Sequence, residues 1–251
     1  MTTFLDLHVP GSPLLIPNAW DVGSARLLES LGALAVATTS SGFAATLGRA
    51  DGQASDTEVL DHCAALVEGV AIPVSADLEN GYADPTDTFA RAHTCGLSGA
   101  SIEDWSGTAT YPVAEAAARV AVARRAAPEL VLTGRAEGYL HGNSSLTDAI
   151  DRLQAYAAAG ADVLYAPGVR DTDEIRTLCA EVGRPVNVLL FPGMSIAQLA
   201  DAGVARVSVG GWLAWTAWGA AAASAREFLA GGTDWMEAAL AGRVEARPVL
   251  D

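Results

Sequence analysis

The chain has 251 residues, of which 51% are hydrophobic and 18% are charged, and its formal net charge is −15. These values predict one large folded domain with a sizeable core and not a disordered chain. The acidity argues against binding to nucleic acid or to an anionic membrane, and because all fifteen basic residues are arginine, chemistry that needs a Schiff-base or phosphate-loop lysine is excluded.

In chain order, eight strand-like segments alternate with helix-like segments. The predicted strands span residues 14–18, 33–38, 73–78, 99–102, 130–133, 162–165, 185–190 and 206–209. The predicted helices span residues 22–31, 58–69, 86–95, 113–126, 146–159, 173–182, 195–202, 212–229 and 235–240, and residues 43–55 are predicted to form a long loop. Eight alternating units predict parallel strands with right-handed crossovers, the (β/α)₈ TIM-type barrel.

We therefore predict a single barrel domain over residues 1–251, with residues 212–251 as a C-terminal helical arm. An open doubly wound sheet is the alternative fold. It typically carries a glycine-rich loop after its first strand, where this chain has Asn18-Ala19-Trp20-Asp21.

The cysteines and the first residues bear on the compartment. Cys63, Cys95 and Cys179 show no metal-type or redox-type spacing, and such a sparse, odd set predicts a reducing, cytoplasmic environment. The first residues lack a basic start followed by an apolar run, so no signal peptide is expected. The apolar stretch 207–225 is rich in alanine and glycine, which favours a packed helix over a membrane span.

Residues 73–82, PVSADLENGY, end a predicted buried strand with two carboxylates. Side chains alternate along a strand, so Asp77 and Glu79 are expected to point the same way. Like charges this close repel each other unless a cation lies between them. Oxygen ligands of this kind favour Mg²⁺, with Mn²⁺ as an alternative. The other interpretation is an aspartate that caps the next helix and a glutamate in solvent.

Other predicted strands also end in polar side chains, and barrel enzymes take their active residues from these ends. Four or five carboxylates around one arginine favour a bound cation. The set consists of Ser40, Ser41, Gly42 and Asp51 after the second strand, Asp77 and Glu79 after the third, Glu103 and Asp104 after the fourth, Arg135 and Glu137 after the fifth, and Asn187 on the seventh. Asp104 and Glu137 are the members that we expect to be helix caps or surface groups.

Arg135 closes an apolar strand in phase with Val131 and Thr133, and is therefore expected to be buried. A buried arginine needs anionic partners. These are either Glu103 or Glu137, or the carboxylate of a substrate held by two hydrogen bonds.

The Ser41-Gly42 turn offers a hydroxyl and closely spaced backbone N–H groups, which suit an oxygen anion.

The chain resembles the isocitrate lyase and phosphoenolpyruvate mutase superfamily over nearly its whole length. The segments that carry the resemblance are NAWDVGSARLLE (18–29), SSGF followed by LGRAD (40–51), SADLENGYAD (75–84), GASIED (99–104), TGRAEG (133–138), PVNVL (185–189) and LADAGVARVSVGG (199–211). The carboxylate segment and the IED segment at this distance are the most specific.

The resemblance implies a Mg²⁺ site in which one carboxylate binds the ion directly and three others reach it mostly through water. The direct ligand is Asp77, and the others are Asp51, Glu79 and Glu103. The residues implied to bind oxygens of a small 2-oxo or 2-hydroxy carboxylate are Ser41, Gly42, Arg135 and Asn187.

The resemblance also implies a barrel whose last helix is swapped between the subunits of a homodimer or homotetramer. The spacing of Trp212, Trp215 and Trp218 along one predicted helix favours helix packing or a subunit interface.

One loop departs from the superfamily. The lyase branch carries a loop of the Lys-Lys-Cys-Gly-His type after the fourth strand, whose cysteine acts in acid/base catalysis, and the mutase and hydrolase branches usually carry asparagine and lysine there. Residues 104–112 of this chain are DWSGTATYP. The candidates for catalysis are therefore Arg135, Glu103 and the phenol of Tyr111.

Three functions remain open. The first is a Mg²⁺-dependent lyase that cleaves a C–C bond of a 2-oxo or 2-hydroxy di- or tricarboxylate, of the isocitrate, methylisocitrate or oxaloacetate type, through the enolate of a 2-oxo acid. The second is a binding protein or sensor for 2-oxo dicarboxylates with little catalysis. The third is chemistry of the phosphoenolpyruvate mutase or phosphonopyruvate type. Because the loop offers no good acid at neutral pH, slow turnover is expected of a lyase.

Overall fold

Nine parallel strands and ten α-helices alternate in the computed structural model, which describes residues 3–250. The strands are β1 (Leu14–Ile16), β2 (Asn18–Ala19), β3 (Val36–Thr38), β4 (Val74–Asp77), β5 (Gly99–Glu103), β6 (Val131–Arg135), β7 (Val163–Tyr165), β8 (Val186–Leu189) and β9 (Arg206–Ser208). The helices are α1 (Val22–Ser30), α2 (Ser40–Thr46), α3 (Asp56–Gly69), α4 (Pro85–Thr94), α5 (Val113–Ala126), α6 (Leu146–Ala158), α7 (Thr172–Glu181), α8 (Ile196–Asp201), α9 (Trp212–Leu229) and α10 (Trp235–Leu250).

The strands form one sheet in the order β1-β9-β8-β7-β6-β5-β4-β3-β2. Its two ends, β1 and β2, are separated in the chain only by Pro17, which has no N–H to donate. The Pro17 carbonyl still accepts a hydrogen bond of 3.0 Å from the Ala37 N–H. The two short strands therefore act as one interrupted strand that closes the sheet, and the predicted (β/α)₈ barrel is confirmed.

Asn18 joins the first and last strands at the carboxyl end of the barrel. Its Nδ2 donates to the Thr38 carbonyl at 2.7 Å. Its Oδ1 accepts from the N–H groups of Val209 at 3.0 Å and Gly210 at 2.9 Å. A buried carboxamide requires such partners, and here they hold the barrel closed beside the cavity described below.

An apolar layer fills the opposite, amino-terminal end of the barrel. Leu14, Val131 and Val163, the first residues of β1, β6 and β7, pack there with Phe4 and Ile16. A larger apolar cluster lies between the sheet and the surrounding helices. Burial of these groups stabilises the barrel, and it leaves the carboxyl ends of the strands for polar side chains.

Two local predictions are wrong. The predicted loop 43–55 begins inside helix α2, which starts at Ser40 because the Thr39 hydroxyl accepts a hydrogen bond from the Gly42 N–H and caps it. The last helix does not end at residue 240 but continues to Leu250, because it packs against α1.

The helical arm exposes apolar surface. Among the described residues of α9, Ala214 alone is buried, whereas Trp212, Trp215 and Trp218 are 45%, 47% and 50% exposed. An exposed apolar patch of this kind marks an interaction surface. Because α10 lies against α1 of the same chain, a swapped last helix stays a prediction. None of the helices in residues 3–250 combines the length and the apolarity needed to cross a membrane.

We expect the chain to form an oligomer of even order, because α9 presents three half-exposed tryptophans. Sedimentation velocity at micromolar concentration measures the assembly. The double substitution Trp215→Glu and Trp218→Glu should shift it towards the monomer. Leu34→Glu, at an exposed leucine elsewhere, is the matched control and should leave it unchanged. A monomeric wild-type chain would contradict the prediction.

His62, in α3, is partly buried. Its ring stacks on Phe43 with the ring centroids 4.0 Å apart. Its Nε2 is buried and has no hydrogen-bond partner among the described residues. Burial lowers the pKa of His62 from 6.5 to about 4, so the contact depends on the neutral ring.

We expect His62 to make the fold acid-sensitive. The unfolded chain binds a proton at this histidine below about pH 6.5, whereas the folded chain binds it only near pH 4, so stability is lost as the pH falls through this window. The substitution His62→Phe keeps a stacked ring without a titrating group. Its free energy of unfolding, measured by urea denaturation relative to wild type, should rise by about 1 kcal/mol between pH 7 and pH 5.5. His93→Phe, at an exposed position, should show no such rise; the same pH dependence in His62→Phe and wild type would contradict this account.

Candidate active site

A cavity of about 180 Å³ lies at the carboxyl ends of the strands, where barrel enzymes place their active sites. Its size suits a small organic acid better than a nucleotide or coenzyme. The predicted site residues that line it are Ser40, Ser41, Asp51, Asp77, Arg135 and Asn187. The polar lining residues that were not among the predicted site residues are Asn18, Thr38, Thr39, Ser75, Ser101, Tyr165, Arg206 and Ser208.

The guanidinium of Arg135, at the end of β6, forms ion pairs with three carboxylates. Its Nη1 lies 2.7 Å from Asp77 Oδ1, its Nη2 lies 3.1 Å from Glu103 Oε2, and its Nε lies 2.9 Å from Glu137 Oε1. Of the two alternatives that the sequence left open, the structure shows the pairing with protein carboxylates. Arg135 therefore ties together the ends of β4, β5 and β6.

One arginine does not balance the negative charge of this group. Burial raises the pKa of Glu103 well above its ordinary value, and Arg135 offsets this only in part. Burial, followed by the negative charges of Asp77 and Asp51, raises the pKa of Glu79 to about 7. Burial also raises the pKa of Asp51, and the negative charge of Asp77 raises it further. Such an excess of negative charge favours a bound cation.

Of the two carboxylate oxygens of Asp77, one accepts hydrogen bonds from the described residues and the other does not. Its Oδ1 accepts from Arg135 Nη1 at 2.7 Å, from the Glu79 N–H at 3.3 Å and from Ser101 Oγ at 3.5 Å. Among the described residues, none donates to Oδ2. A carboxylate oxygen in that condition on a cavity wall is a suitable ligand for Mg²⁺.

Among the described residues, Asp77 is not part of a group of three or more side chains that could bind one ion directly. Within residues 3–250, no three His, Cys, Asp or Glu side chains form a group that could hold one metal ion. Mg²⁺ commonly keeps several waters and binds through one or two carboxylates. The donor set therefore fits a mostly hydrated Mg²⁺ on Asp77, with Asp51, Glu79 and Glu103 close enough to act on it electrostatically.

The backbone after β4 is strained. The strand ends at Asp77, and Glu79 and Tyr82 have φ angles of 49° and 55°, in the left-handed region that costs a non-glycine residue about 1 kcal/mol or more. The Glu79 carbonyl accepts from the Glu103 N–H at 2.9 Å, and Glu79 Oε1 accepts from the Tyr82 hydroxyl at 3.4 Å. This turn, and not strand alternation, thus positions Glu79, which acts electrostatically on Asp77 and Asp51 but is not one of the cavity-lining residues.

The predicted Ser41-Gly42 turn is the first turn of α2. The Ser41 hydroxyl lies 3.2 Å from Thr39 Oγ1, and the Gly42 N–H donates to the same Thr39 oxygen at 3.3 Å. Gly42 does not line the cavity, and a Cβ there would lie 2.6 Å from Thr39 Cγ2 and 3.1 Å from Trp20 Cβ. The structure therefore brings Ser40 and Ser41 to the cavity, whereas Gly42 permits the close packing of α2.

Asp104 and Glu137 are buried, so their prediction as caps or surface groups is wrong. Asp104 Oδ1 accepts from the Glu137 N–H at 2.8 Å, and Asp104 Oδ2 accepts from Arg152 Nη1 at 3.0 Å and from the Tyr156 hydroxyl at 2.6 Å. A carboxylate this deep requires such partners. The network supports the turn that carries Glu137, and through it Arg135.

The loop after β5 is held at two points, and Tyr111 lies outside the cavity. Asn80 Nδ2 donates to the Trp105 carbonyl at 3.0 Å, and the Trp105 ring stacks on His141 with the centroids 3.6 Å apart. The Arg119 guanidinium lies 4.9 Å from the centroid of the Tyr111 ring, and Tyr111 is not one of the cavity-lining residues.

Asn187 and Arg206 are hydrogen-bonded to each other on the cavity wall. Arg206 Nε donates to Asn187 Oδ1 at 3.0 Å, and Asn187 Nδ2 donates to Ser208 Oγ at 3.0 Å. The signal that could have identified Arg206 is the one that identified Arg135, an arginine in phase with inward residues of an apolar strand.

Comparison with known proteins places the whole barrel in one family. The family model described as phosphoenolpyruvate phosphomutase matches residues 4–229.

Related proteins agree with this match. A structure from Burkholderia cenocepacia J2315, provisionally described as a lyase/mutase, has a TM-score of 0.92 and 44% identity, covering 98% of this chain and 93% of that chain. An uncharacterized protein of Mycobacterium tuberculosis H37Rv is 37% identical over 83% of this chain and 81% of its own length. A 2-methylisocitrate lyase of Halalkalibacterium halodurans is 26% identical over 76% of this chain and 69% of its own length.

We expect Mg²⁺ to stabilise the fold through Asp77. An ion that binds only the folded chain, at ten times its Kd, adds about 1.4 kcal/mol and raises the Tm by about 3 to 6 °C. Scanning calorimetry measures the rise, which Asp77→Asn should abolish. Glu137→Gln also removes an ion pair of Arg135, and this control should keep the rise. An equal rise in Asp77→Asn, or none in wild type with oxalate present, would refute the metal assignment.

Proposed function

We propose a reaction for this chain, which belongs to the phosphoenolpyruvate mutase family and is an enzyme of the isocitrate lyase and phosphoenolpyruvate mutase superfamily. The reaction is the Mg²⁺-dependent cleavage of a C–C bond in a 2-oxo or 2-hydroxy di- or tricarboxylate, of the isocitrate, methylisocitrate or oxaloacetate type. The observation that carries the proposal is the Asp77 carboxylate on the cavity wall, with Oδ1 held by three donors and Oδ2 left without one among the described residues.

In this proposal Asp77 would hold Mg²⁺ directly, and Asp51, Glu79 and Glu103 would act on it mostly through water. The raised pKa values of these three carboxyl groups support the assignment, because a divalent cation would relieve the repulsion that raises them. When bound, Mg²⁺ supplies positive charge beside the substrate oxygen on which negative charge develops. Mn²⁺ shares the preference for oxygen ligands and is the alternative ion.

The substrate is proposed to lie among the hydroxyl and amide groups of the cavity. Ser40 and Ser41 line it from the start of α2, and Asn187 lines it from β8. Their hydroxyl and amide groups are suited to carboxylate and 2-oxo oxygens. Arg135 holds Asp77 and Glu103 in place. Its N–H groups that are not engaged in ion pairs are proposed to donate to the substrate oxygen that becomes negative.

For an oxaloacetate-type acid, the bond between C3 and C4 breaks and C4 leaves as CO₂. The electron pair stays on C3, conjugated with the 2-oxo group, as the enolate of pyruvate, and C3 then takes a proton. In an isocitrate-type acid the bond between C2 and C3 breaks instead. A base takes the proton of the C2 hydroxyl, C2 becomes the carbonyl carbon of glyoxylate or pyruvate, and the electron pair stays on C3 as the enediolate of succinate, which then takes a proton. We assign the base to Glu103, which is not itself a cavity-lining residue and therefore acts through a water molecule. The chain's contribution to either reaction is to orient the acid and to stabilise the developing charge.

Protonation of the carbon is proposed to be slow. Ser106 and Thr108, in the loop after β5, are exposed and are poor acids, and Tyr111 lies outside the cavity. Water therefore delivers the proton, unless the loop moves and brings the Tyr111 phenol inward. A positioned general acid contributes about 10²–10⁴ in rate, so turnover below that of relatives with a cysteine loop is expected.

The same loop favours a second candidate function, a binding protein or sensor for 2-oxo dicarboxylates. Its exposed hydroxyls offer no efficient acid, whereas the cavity keeps its polar lining. Tight binding of one acid without any product would support this function.

The lyase is tested by assaying pyruvate and glyoxylate release from a panel of 2-oxo and 2-hydroxy di- and tricarboxylates and phosphonopyruvate with Mg²⁺. Asp77→Ala and Arg135→Ala should each lower release by about 10²-fold or more, because both remove charge at the reacting centre. Asp173→Ala, at an exposed carboxylate, should retain full release. Tyr111→Phe should lower it only if the phenol donates the proton. Release that survives in Asp77→Ala and Arg135→Ala would refute the mechanism.

A further inference from the structure

A second buried arginine lines the cavity, and none of the described carboxylates forms an ion pair with it. Arg206 is 5% exposed. Its Nε donates to Asn187 Oδ1, whereas its Nη1 is buried with no hydrogen-bond partner among the described residues. In the part of the chain that the structure describes, no carboxylate forms an ion pair with it, in contrast to the three that pair with Arg135.

Burying the Arg206 guanidinium without an anion destabilises the folded chain, unless a ligand supplies the negative charge. Buried charges are normally paired, and an unpaired donor inside a protein loses its hydration without compensation. Burial lowers the pKa of Arg206 to about 10, and the positive charge of Arg135 contributes to the shift. At neutral pH the guanidinium is therefore still charged, so a positive charge without an anion faces the cavity.

The position of Arg206 is deep in the barrel. In the strand register it pairs with Leu14 of β1 on one side and with Asn187 of β8 on the other, and Leu14 belongs to the apolar layer at the amino-terminal end. On that side Arg206 acts on the buried His8, whose pKa is lowered by burial and then by the positive charge of Arg206. The members of this layer among residues 3–250 are all apolar, so an anion that pairs with Arg206 has to come from the cavity side.

We propose that Arg206 binds a second carboxylate of the substrate at the cavity floor, opposite the end of the substrate held at Asp77, and so selects dicarboxylates over monocarboxylates. The inference rests on the proposed function, because it assigns a ligand group to the same cavity. The Arg206 guanidinium, which lines the cavity, supplies charged donors, and the Asn187 carboxamide fixes its plane through Nε. A carboxylate replaces the missing hydrogen-bond partner and neutralises the buried charge.

The global charge makes such a group necessary. A chain with a net charge of −15 repels a dianion, and Arg135 is already outnumbered by its own carboxylates. Arg206 is the cavity-lining cation whose charge remains to be matched within the described residues. It is a binding and specificity residue in this proposal, and it takes no part in breaking the bond.

The test compares two acids that differ in one group. Malate and 2-hydroxybutyrate share a four-carbon 2-hydroxy acid skeleton, but the second has a methyl group in place of the distal carboxylate. Titration calorimetry with the full chain, with and without Mg²⁺, should show that malate binds at least about tenfold more tightly. Arg206→Gln should weaken malate binding by about 10- to 100-fold and leave 2-hydroxybutyrate unchanged, since a charge-assisted hydrogen bond is lost only for the dicarboxylate. Arg206→Lys, which keeps the charge but not the fork, should retain part of the preference.

Several results would overturn the proposal. The first is that wild type binds both acids with equal affinity, or does not bind malate with or without Mg²⁺. The second is that Arg206→Gln keeps the wild-type preference for malate. The third is that Arg206→Gln loses affinity for both acids equally although its circular dichroism and melting show a folded barrel. If Arg206→Gln does not fold, the wild-type preference and Arg206→Lys decide. If 3-phosphonolactate binds more tightly than malate and Arg206→Gln removes this difference, the ligand group of Arg206 is a phosphonate and the carboxylate assignment is overturned. The preference stands even if no acid is cleaved, and Asp77-dependent cleavage stands even if the preference is absent.

Discussion

The ion pairs of Arg135 are the interaction on which the rest of the site depends. One guanidinium holds carboxylates at the ends of β4 and β5 and in the turn after β6. Removing one partner from a buried pair of this kind costs about 3–5 kcal/mol, and here three carboxylates share the partner. The pairs fix Asp77 in place but leave the group negative. That remaining charge, and not the number of carboxylates alone, makes the strand ends a suitable cation site.

The barrel could be predicted from the sequence because its signals are local and periodic. Helices Val113–Ala126 and Trp212–Leu229 have the predicted bounds, since each is long enough for its composition and stop signals to decide. Helix Ser40–Thr46 could not be found in this way. Its seven residues have no apolar period, and it depends on the Thr39 cap and on the close packing that Gly42 permits.

The same distinction between local sequence signals and tertiary contacts applies to the residues of the candidate site. Asp77 and Glu103 could be selected from the sequence, because acids at the ends of apolar strands are conspicuous. The burial of Asp104 could not, because its partners Arg152 and Tyr156 follow it by 48 and 52 residues and lie on a helix whose docking only the fold determines. The position of a carboxylate at a strand end can therefore be predicted from the sequence. Its role cannot, because this depends on hydrogen-bond partners that only the tertiary structure places next to it.

The two cavity arginines differ in what they leave for a substrate. Arg135 is matched by protein carboxylates, whereas Arg206 has no ion-pair partner within residues 3–250. If Arg206 binds a substrate carboxylate, it stabilises that group as an anion, and loss of the same group as CO₂ becomes harder because its charge must disappear in the transition state. The geometry then favours cleavage of a C–C bond that leaves the carboxylate on a product. Within the proposed lyase chemistry, charge matching at Arg206 thus argues for an isocitrate-type cleavage over decarboxylation of the distal group.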